Sequence, residues 1–335
     1  MIPRTCATVQ PANWQNLLRQ SRLSLRELLD ALDLPLRPEY LANLPDQDFS
    51  LRVPPAFLAQ MQRSNPDDPL LRQVLPLAQE LYPASGFSMD PVGDRLAQKS
   101  PGLLHKYHGR VLLTLTGACA IHCRYCFRQH FPYADANPTH SAWQQTLDYL
   151  RADTSISEII LSGGDPLTLA DTRLATITSD LATIPHLRRL RIHSRLPVVL
   201  PERITGELLH WLTATRLQPV LVIHANHANE IGPAATTALK QLRDHGVTLL
   251  NQSVLLAGVN DSVETLLQLS ETLFQQQVLP YYLHMLDTVA GAAHFAVSDT
   301  RALQIMEQLR KQLPGYLLPR LVREQAGMPY KTPLL

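Results

Sequence analysis

Apolar positions along this chain change period about a third of the way in. Residues 14–33 (WQNLLRQSRLSLRELLDALD) repeat leucine at helical spacing, and residues 68–83 (DPLLRQVLPLAQELYP) do so again after an Asp-Pro start. Both runs predict amphipathic helices, and the first hundred residues read as a helical, proline-punctuated region. From residue 110 onward, short apolar runs alternate with helical patterns, the sequence form of repeated βα units on a parallel sheet. Strands are predicted over 111–116, 158–161, 190–193, 219–223, 248–252 and 280–284. Six such units predict an α/β fold, an incomplete barrel whose C-terminal strand ends carry the chemistry. The division that follows is a helical region over 1–100, a barrel over 101–312 and a C-terminal segment over 313–335.

Composition narrows the class. With 335 residues, 45% of them hydrophobic, the chain is long enough to bury a sizeable core. Thirty basic residues balance 29 acidic ones, and no long like-charge run points to nucleic acid or an anionic membrane as a partner. No stretch of 18 or more uninterrupted apolar residues occurs, and the first residues lack an apolar core of signal-peptide length. A cytoplasmic protein is the expectation. Four cysteines, three of them close together and Cys6 far away, do not form a disulfide framework.

Those three, Cys119, Cys123 and Cys126, are spaced CxxxCxxC directly after the run VLLTLT. Three thiolates can hold three irons of a 4Fe–4S cluster and leave the fourth iron open to an added ligand. The pattern resembles the signature of radical S-adenosylmethionine enzymes, and Tyr125 inside the loop adds to the likeness. The rival is a structural zinc site completed by His122 or His130. Zinc sites more usually pair two short clusters, and no second cysteine pair follows.

A second strand end carries LSGGDPL (161–167), whose glycines allow a flat ligand or its amino-acid portion to approach the backbone. A tight turn is the alternative there. His224, after the fourth predicted strand, is an inward-facing candidate for the same ligand.

Seven segments, taken together, carry a wider resemblance: HCRYCFR (122–128), LSGGDPL (161–167), HSRLPVVLPERIT (193–205), HANHANEI (224–231), LNQSVLLAGVND (250–261), YYLHMLD (281–287) and YKTP (330–333). Their order over roughly the last 240 residues is similar to the lysine 2,3-aminomutase family, radical enzymes that also use pyridoxal phosphate. The chain stops four residues after Lys331, where long members of that family continue. It therefore resembles the short bacterial branch that supplies (R)-β-lysine for modifying translation elongation factor P.

The resemblance implies a partial (β/α)6 radical S-adenosylmethionine barrel and an isomerase that converts L-lysine to β-lysine. It also implies roles. Cys119, Cys123 and Cys126 would ligate the cluster. Tyr125, Ser162, Gly163, Gly164, Asp165 and His224 would border S-adenosylmethionine. Lys331, one of only five lysines, matches the pyridoxal-phosphate lysine, approached here by QAGMPY with a single glycine. Lys106 and Arg110 stand at two family arginine positions for the cofactor's phosphate, Lys106 supplying a point charge in place of a bidentate fork. Arg195 and Gln252 are further candidates near that cofactor. Arg128 matches the arginine that grips the substrate carboxylate, and Asp90 matches an acid that helps orient it. Asp287 and Glu324 match the acids that receive the lysine ε-ammonium, Glu324 being one methylene longer than the family's aspartate. Two carboxylates together repel unless a cation enters, which argues for a cationic substrate side chain. The alternative is a 2,3-aminomutase for another amino acid such as glutamate. Implied partners are an electron donor such as flavodoxin or ferredoxin, the elongation factor P β-lysine ligase as a functional link, and a second copy of the chain in a homodimer.

Overall fold

The computed structural model describes residues 13–40, 50–133 and 140–334. Cys6 and the reading of the first residues as leader-free lie outside them. Ten strands form one sheet in sequential order: β1 (Gln98–Ser100), β2 (Leu103–Tyr107), β3 (Arg110–Thr114), β4 (Glu158–Ser162), β5 (Arg189–Ser194), β6 (Gln218–Ile223), β7 (Thr248–Val254), β8 (Leu279–His284), β9 (Arg320–Arg323) and β10 (Thr332–Pro333). From β3 to β9 every neighbouring pair is parallel. All six predicted strands are present. β1 and β2 add an antiparallel edge before them, and the β9–β10 hairpin extends the far edge. The sheet stays open, with β1 and β10 at its ends.

Parallel strands require crossovers, and six helices provide them: His140–Ala152, Asp171–Ala182, Gly206–Thr213, Pro233–Asp244, Val263–Gln275 and Asp299–Gln312. Their apolar stripes face the sheet at helical spacing, as Leu266, Leu269 and Leu273 do. Side-chain caps start several of them, including Thr205, Ser262 and Ser298. Leu161, Leu190, Ile192 and Leu221 are buried between these layers. Among the described residues no helix is long and apolar enough to cross a membrane.

The N-terminal region departs from its leucine pattern. Residues 14–33 split into two helices, Trp14–Gln20 and Leu25–Ala31, because Ser24 and Glu27 form a reciprocal capping box that starts a new helix. Residues 68–83 form only one turn, Pro69–Arg72, and a 3-10 turn, Ala78–Leu81. Pro76 supplies no N–H and biases Leu75 away from helical backbone. Phe57, Leu70, Leu71 and Val74 from this region share one core with the barrel. Arg203, fully buried, donates to Leu167 O at 2.6 Å and Asp171 Oδ1 at 2.7 Å, and its guanidinium lies 4.6 Å from the Trp14 ring centre.

Candidate active site

A cavity of about 250 Å³ sits at the C-terminal strand ends, bordered by the cysteine loop after β3 and by the ends of β4 to β8. Three backbone bonds zip the cysteine loop to the β4 loop: Leu115 N to Ser162 O (3.1 Å), Gly164 N to Thr116 O (2.6 Å) and Asp165 N to Ala118 O (2.8 Å). The glycines answer a further demand besides the approach of a ligand. A Cβ on Gly163, which holds φ 134°, would lie 2.5 Å from Thr116 O, and one on Gly164 would lie 2.5 Å from Ala118 O. They are glycines because two loop backbones meet there, although both also line the cavity. Asp165 locks the same junction. Its carboxylate accepts from Leu167 N, Ser194 Oγ and Arg195 N, while burial raises its pKa to about 6.

Arg195 stands elsewhere than expected. Nη1 donates to Cys123 Sγ at 2.7 Å, and Nη2 to Gln73 Oε1 at 2.6 Å and Glu230 Oε2 at 2.9 Å. Glu230 is buried and needs a cationic partner, so it draws the guanidinium to the cysteine loop instead of the Lys331 side. Tyr125 completes this network, donating to Gln73 Oε1 at 3.3 Å and accepting from Asn226 Nδ2 at 2.7 Å. Burial, reinforced by Cys123, pushes the Cys126 thiol up to about 12, and burial with Asp165 raises Cys119 as well. Metal binding here must displace protons.

Both histidines weighed as zinc ligands turn a ring nitrogen to a backbone carbonyl, His122 Nδ1 to Ser50 O and His130 Nε2 to Ala290 O. Among the described residues no group of three His, Cys, Asp or Glu side chains is arranged around a single metal ion. The donor set that does face the cavity is three thiols, the set that holds three corners of an iron–sulfur cluster.

Opposite the thiols, the hairpin register pairs Thr332 with Arg323 and so brings Lys331 to Glu324. Lys331 Nζ donates to Glu324 Oε2, and Lys106 Nζ to Oε1 at 2.8 Å. Burial opposes the charge on Glu324, but the two lysines hold its pKa well below the usual carboxylate range. Asp287 is the opposite case. Burial first, then repulsion from Glu324, raises it to about 7, and its Oδ1 is buried with no hydrogen-bond partner. The pair therefore has one carboxylate engaged and one waiting.

Lys106 also meets Asp94 Oδ1 at 2.6 Å and Val92 O at 2.9 Å. Its donors are committed to protein groups, contrary to a phosphate role. Arg110 lines the same cavity over the Tyr107 ring at 4.8 Å and has no carboxylate partner among the described residues. Arg128 donates from Nε to Asp94 Oδ2 at 2.7 Å and from Nη1 to Ser162 Oγ at 3.2 Å. Asp94, not Asp90, orients it. Asp90 instead accepts from Asp94 N and Arg95 N, closing the turn after its Asp-Pro step.

Three imidazoles complete the wall. His224 shares a 2.8 Å hydrogen bond with Gln252, and burial lowers its pKa to about 3. His193 lies 5.9 Å from His224 between ring centres. The Nε2 atoms of His193 and His284 are buried without partners, and burial keeps both rings neutral. Orphaned polar atoms on a cavity that Lys331 and Arg110 also line fit a polar, phosphate-bearing ring compound.

Three thiols at the strand ends of an open α/β barrel are the donor set of a radical S-adenosylmethionine enzyme, the class to which the relatives below belong. A 4Fe–4S single cluster domain profile matches residues 108–185. L-lysine 2,3-aminomutase of Escherichia coli (strain K12) is 49% identical over 98% of this chain and 96% of its own length. The protein of that name from Clostridium subterminale is 37% identical over 98% of this chain and 79% of its own. Among solved structures, a radical SAM methyltransferase from Sphaerobacter thermophilus overlaps with TM-score 0.43 at 15% identity, over 66% of this chain and 68% of that one. The chain belongs to the L-lysine 2,3-aminomutase family, which makes it an isomerase. With membership come the family's cofactors, a 4Fe–4S cluster, S-adenosylmethionine and pyridoxal 5′-phosphate.

Sequence reasoning missed Asp94, His193, His284, Gln73 and Glu230. His193 and His284 open or fall within segments read as motifs, but a lone histidine on a strand gives no sign of facing a cavity. In SMDPVGD the Asp-Pro step marks Asp90 as a turn residue, but nothing marks Asp94 as the partner of Arg128. Gln73 and Glu230 lie 157 residues apart and meet at 3.0 Å only through the fold.

Proposed function

We propose that the protein is a cytoplasmic L-lysine 2,3-aminomutase that moves the α-amino group of L-lysine to C3, giving (R)-β-lysine for attachment to elongation factor P. The observation that carries the reading is the pair Asp287 and Glu324, two half-buried carboxylates on one cavity that also holds Lys331. A cation entering between them relieves their repulsion, whereas an acidic side chain such as that of glutamate adds a third negative charge.

Bound together, S-adenosylmethionine and pyridoxal phosphate supply a hydrogen-abstracting radical and a carrier for nitrogen between adjacent carbons. The chain's own residues hold and orient. Cys119, Cys123 and Cys126 ligate three irons, and Arg195 donates to the Cys123 sulfur. Tyr125, Ser162, Gly163, Gly164 and His224 border the sulfonium cofactor, with Asp165 fixing their loops. Lys331 holds pyridoxal phosphate, Arg110 meets its phosphate, and Gln252 with the neutral imidazoles of His193 and His284 meets its polar edge. Arg128, aimed by Asp94 and Ser162, grips the substrate carboxylate through paired N–H groups. Asp287 and Glu324 receive the ε-ammonium and, with Arg128, fix both ends of the substrate.

A flavodoxin or ferredoxin supplies the electron, and the active species is a homodimer. The chain works as a helical region over 1–100, a barrel over 101–312 and a lysine-bearing segment over 313–335. The test is the double substitution Asp287→Lys with Glu324→Asn. It abolishes lysine turnover on this reading, and survival of that turnover overturns it.

A further inference from the structure

Resting on the radical S-adenosylmethionine reading, the cluster must receive one electron from outside, and the surface next to Cys119 has the features of an entry point. The cysteine loop is fastened to a short antiparallel bridge in the N-terminal region: His122 N donates to Arg52 O at 3.2 Å, and Arg52 pairs with Arg22. Flanking bonds from Val53 N to Ser21 O (2.7 Å) and Leu23 N to Leu51 O (3.3 Å) hold that bridge.

Residues directly opposite in an antiparallel pair project to the same face, and like charges there repel. Arg22 is exposed and Arg52 half-buried, and neither has a carboxylate partner among the described residues. Burial and Arg22 both work against the charge on Arg52, while Cys119 is the group that favours it. Between β3 and Cys119, Gly117 and Ala118 are exposed. The chain as a whole carries a formal charge of only +1, so this unneutralised pair is a local feature.

We propose that Arg22 and Arg52 form the docking surface for an acidic one-electron carrier protein of the flavodoxin type, seated over Gly117 and Ala118. An acidic surface relieves the repulsion between the two guanidiniums and steers the carrier to the cysteine loop. In the transfer itself the carrier is oxidised by one electron and the cluster reduced by one, with no bond made or broken.

The test uses full-length, cluster-reconstituted protein under anaerobic conditions, with Arg22→Glu/Arg52→Glu and Arg22→Gln/Arg52→Gln variants. Cluster bleaching is followed with reduced flavodoxin and, separately, with reduced methyl viologen, a small cation that needs no acidic docking site. The charge-reversed variant is expected to lose about tenfold in the flavodoxin-driven rate at low salt. The Gln variant loses less, and wild type falls toward both as salt rises. Viologen-driven bleaching and iron content stay at wild-type levels. Equal flavodoxin rates in all forms overturn the proposal. Parallel loss with both reductants also overturns it, because the arginines then serve to hold the cluster loop. Normal flavodoxin-driven reduction without lysine turnover counts against the aminomutase reading and leaves the docking result to stand on its own rates.

Discussion

Lys331 donates a hydrogen bond from Nζ to Oε2 of Glu324, and the other oxygen of that carboxylate takes Lys106. The β9–β10 register brings the two residues together, so the lysine proposed to hold the cofactor and an acid proposed to receive the substrate are neighbours. Glu324 bridges both lysines. Glu324→Gln leaves two cations short of a partner. With 18% and 19% of the lysine side chains exposed, we expect a loss of about 2 kcal/mol, read from the midpoint of denaturant unfolding.

Asp287 makes lysine binding depend on pH. Its folded pKa is raised to about 7 from an ordinary 3.8, so in the ligand-free protein it stays protonated through mild acid. The sign for stability follows: its contribution is complete below the ordinary value and is lost as pH rises through about 7. For binding the sign reverses, because an ε-ammonium favours the ionised carboxylate. Lysine should bind more tightly as pH rises from about 6 to about 8, releasing a proton that calorimetry in buffers of different protonation enthalpy counts. Asp287→Asn should flatten that dependence and weaken binding throughout.

Asp94 and Asp90 separate by function. Asp94→Asn weakens the aim of Arg128 and should raise the lysine KM more than it lowers kcat. Asp90→Asn disturbs only a turn and should leave both near wild type. Steady-state kinetics of the two variants, with circular dichroism to confirm folding, checks the pair.

Arg195 supplies a charged donor to the Cys123 sulfur at 2.7 Å. Such a donor stabilises the reduced, more negative cluster and raises its potential. Arg195→Met should therefore make the cluster harder to reduce. A difference of about 1 kcal/mol corresponds to roughly 40 mV for one electron. Spectroelectrochemical titration measures the shift, and a potential equal to wild type would contradict this role.

The parallel strands were readable because buried strands between helices write themselves as apolar runs of four to six residues, and all six stand where that pattern put them. The N-terminal region was less readable. Leucine spacing carries no information about the Ser24 cap or about Pro76, and local hydrogen bonding overrode the helical period. The cysteine loop was legible from spacing, and family order singled out Lys331, Asp287 and Glu324, which the fold brings to one cavity. Arg195 was misplaced because its partners, Gln73, Cys123 and Glu230, come from three distant parts of the chain. The two glycines of 161–167 were recognised as special, but their neighbour is the cysteine loop's backbone, which only the fold brings near.

Substrate choice is the central claim, and one anaerobic assay tests it most directly. Protein reconstituted with cluster and pyridoxal phosphate is given S-adenosylmethionine, dithionite and a panel of amino acids, and the isomers are separated by chromatography. We predict β-lysine from lysine and no isomer from glutamate. Isomerisation of glutamate with lysine untouched, or no isomer from protein carrying both the cluster and pyridoxal phosphate, would contradict the account.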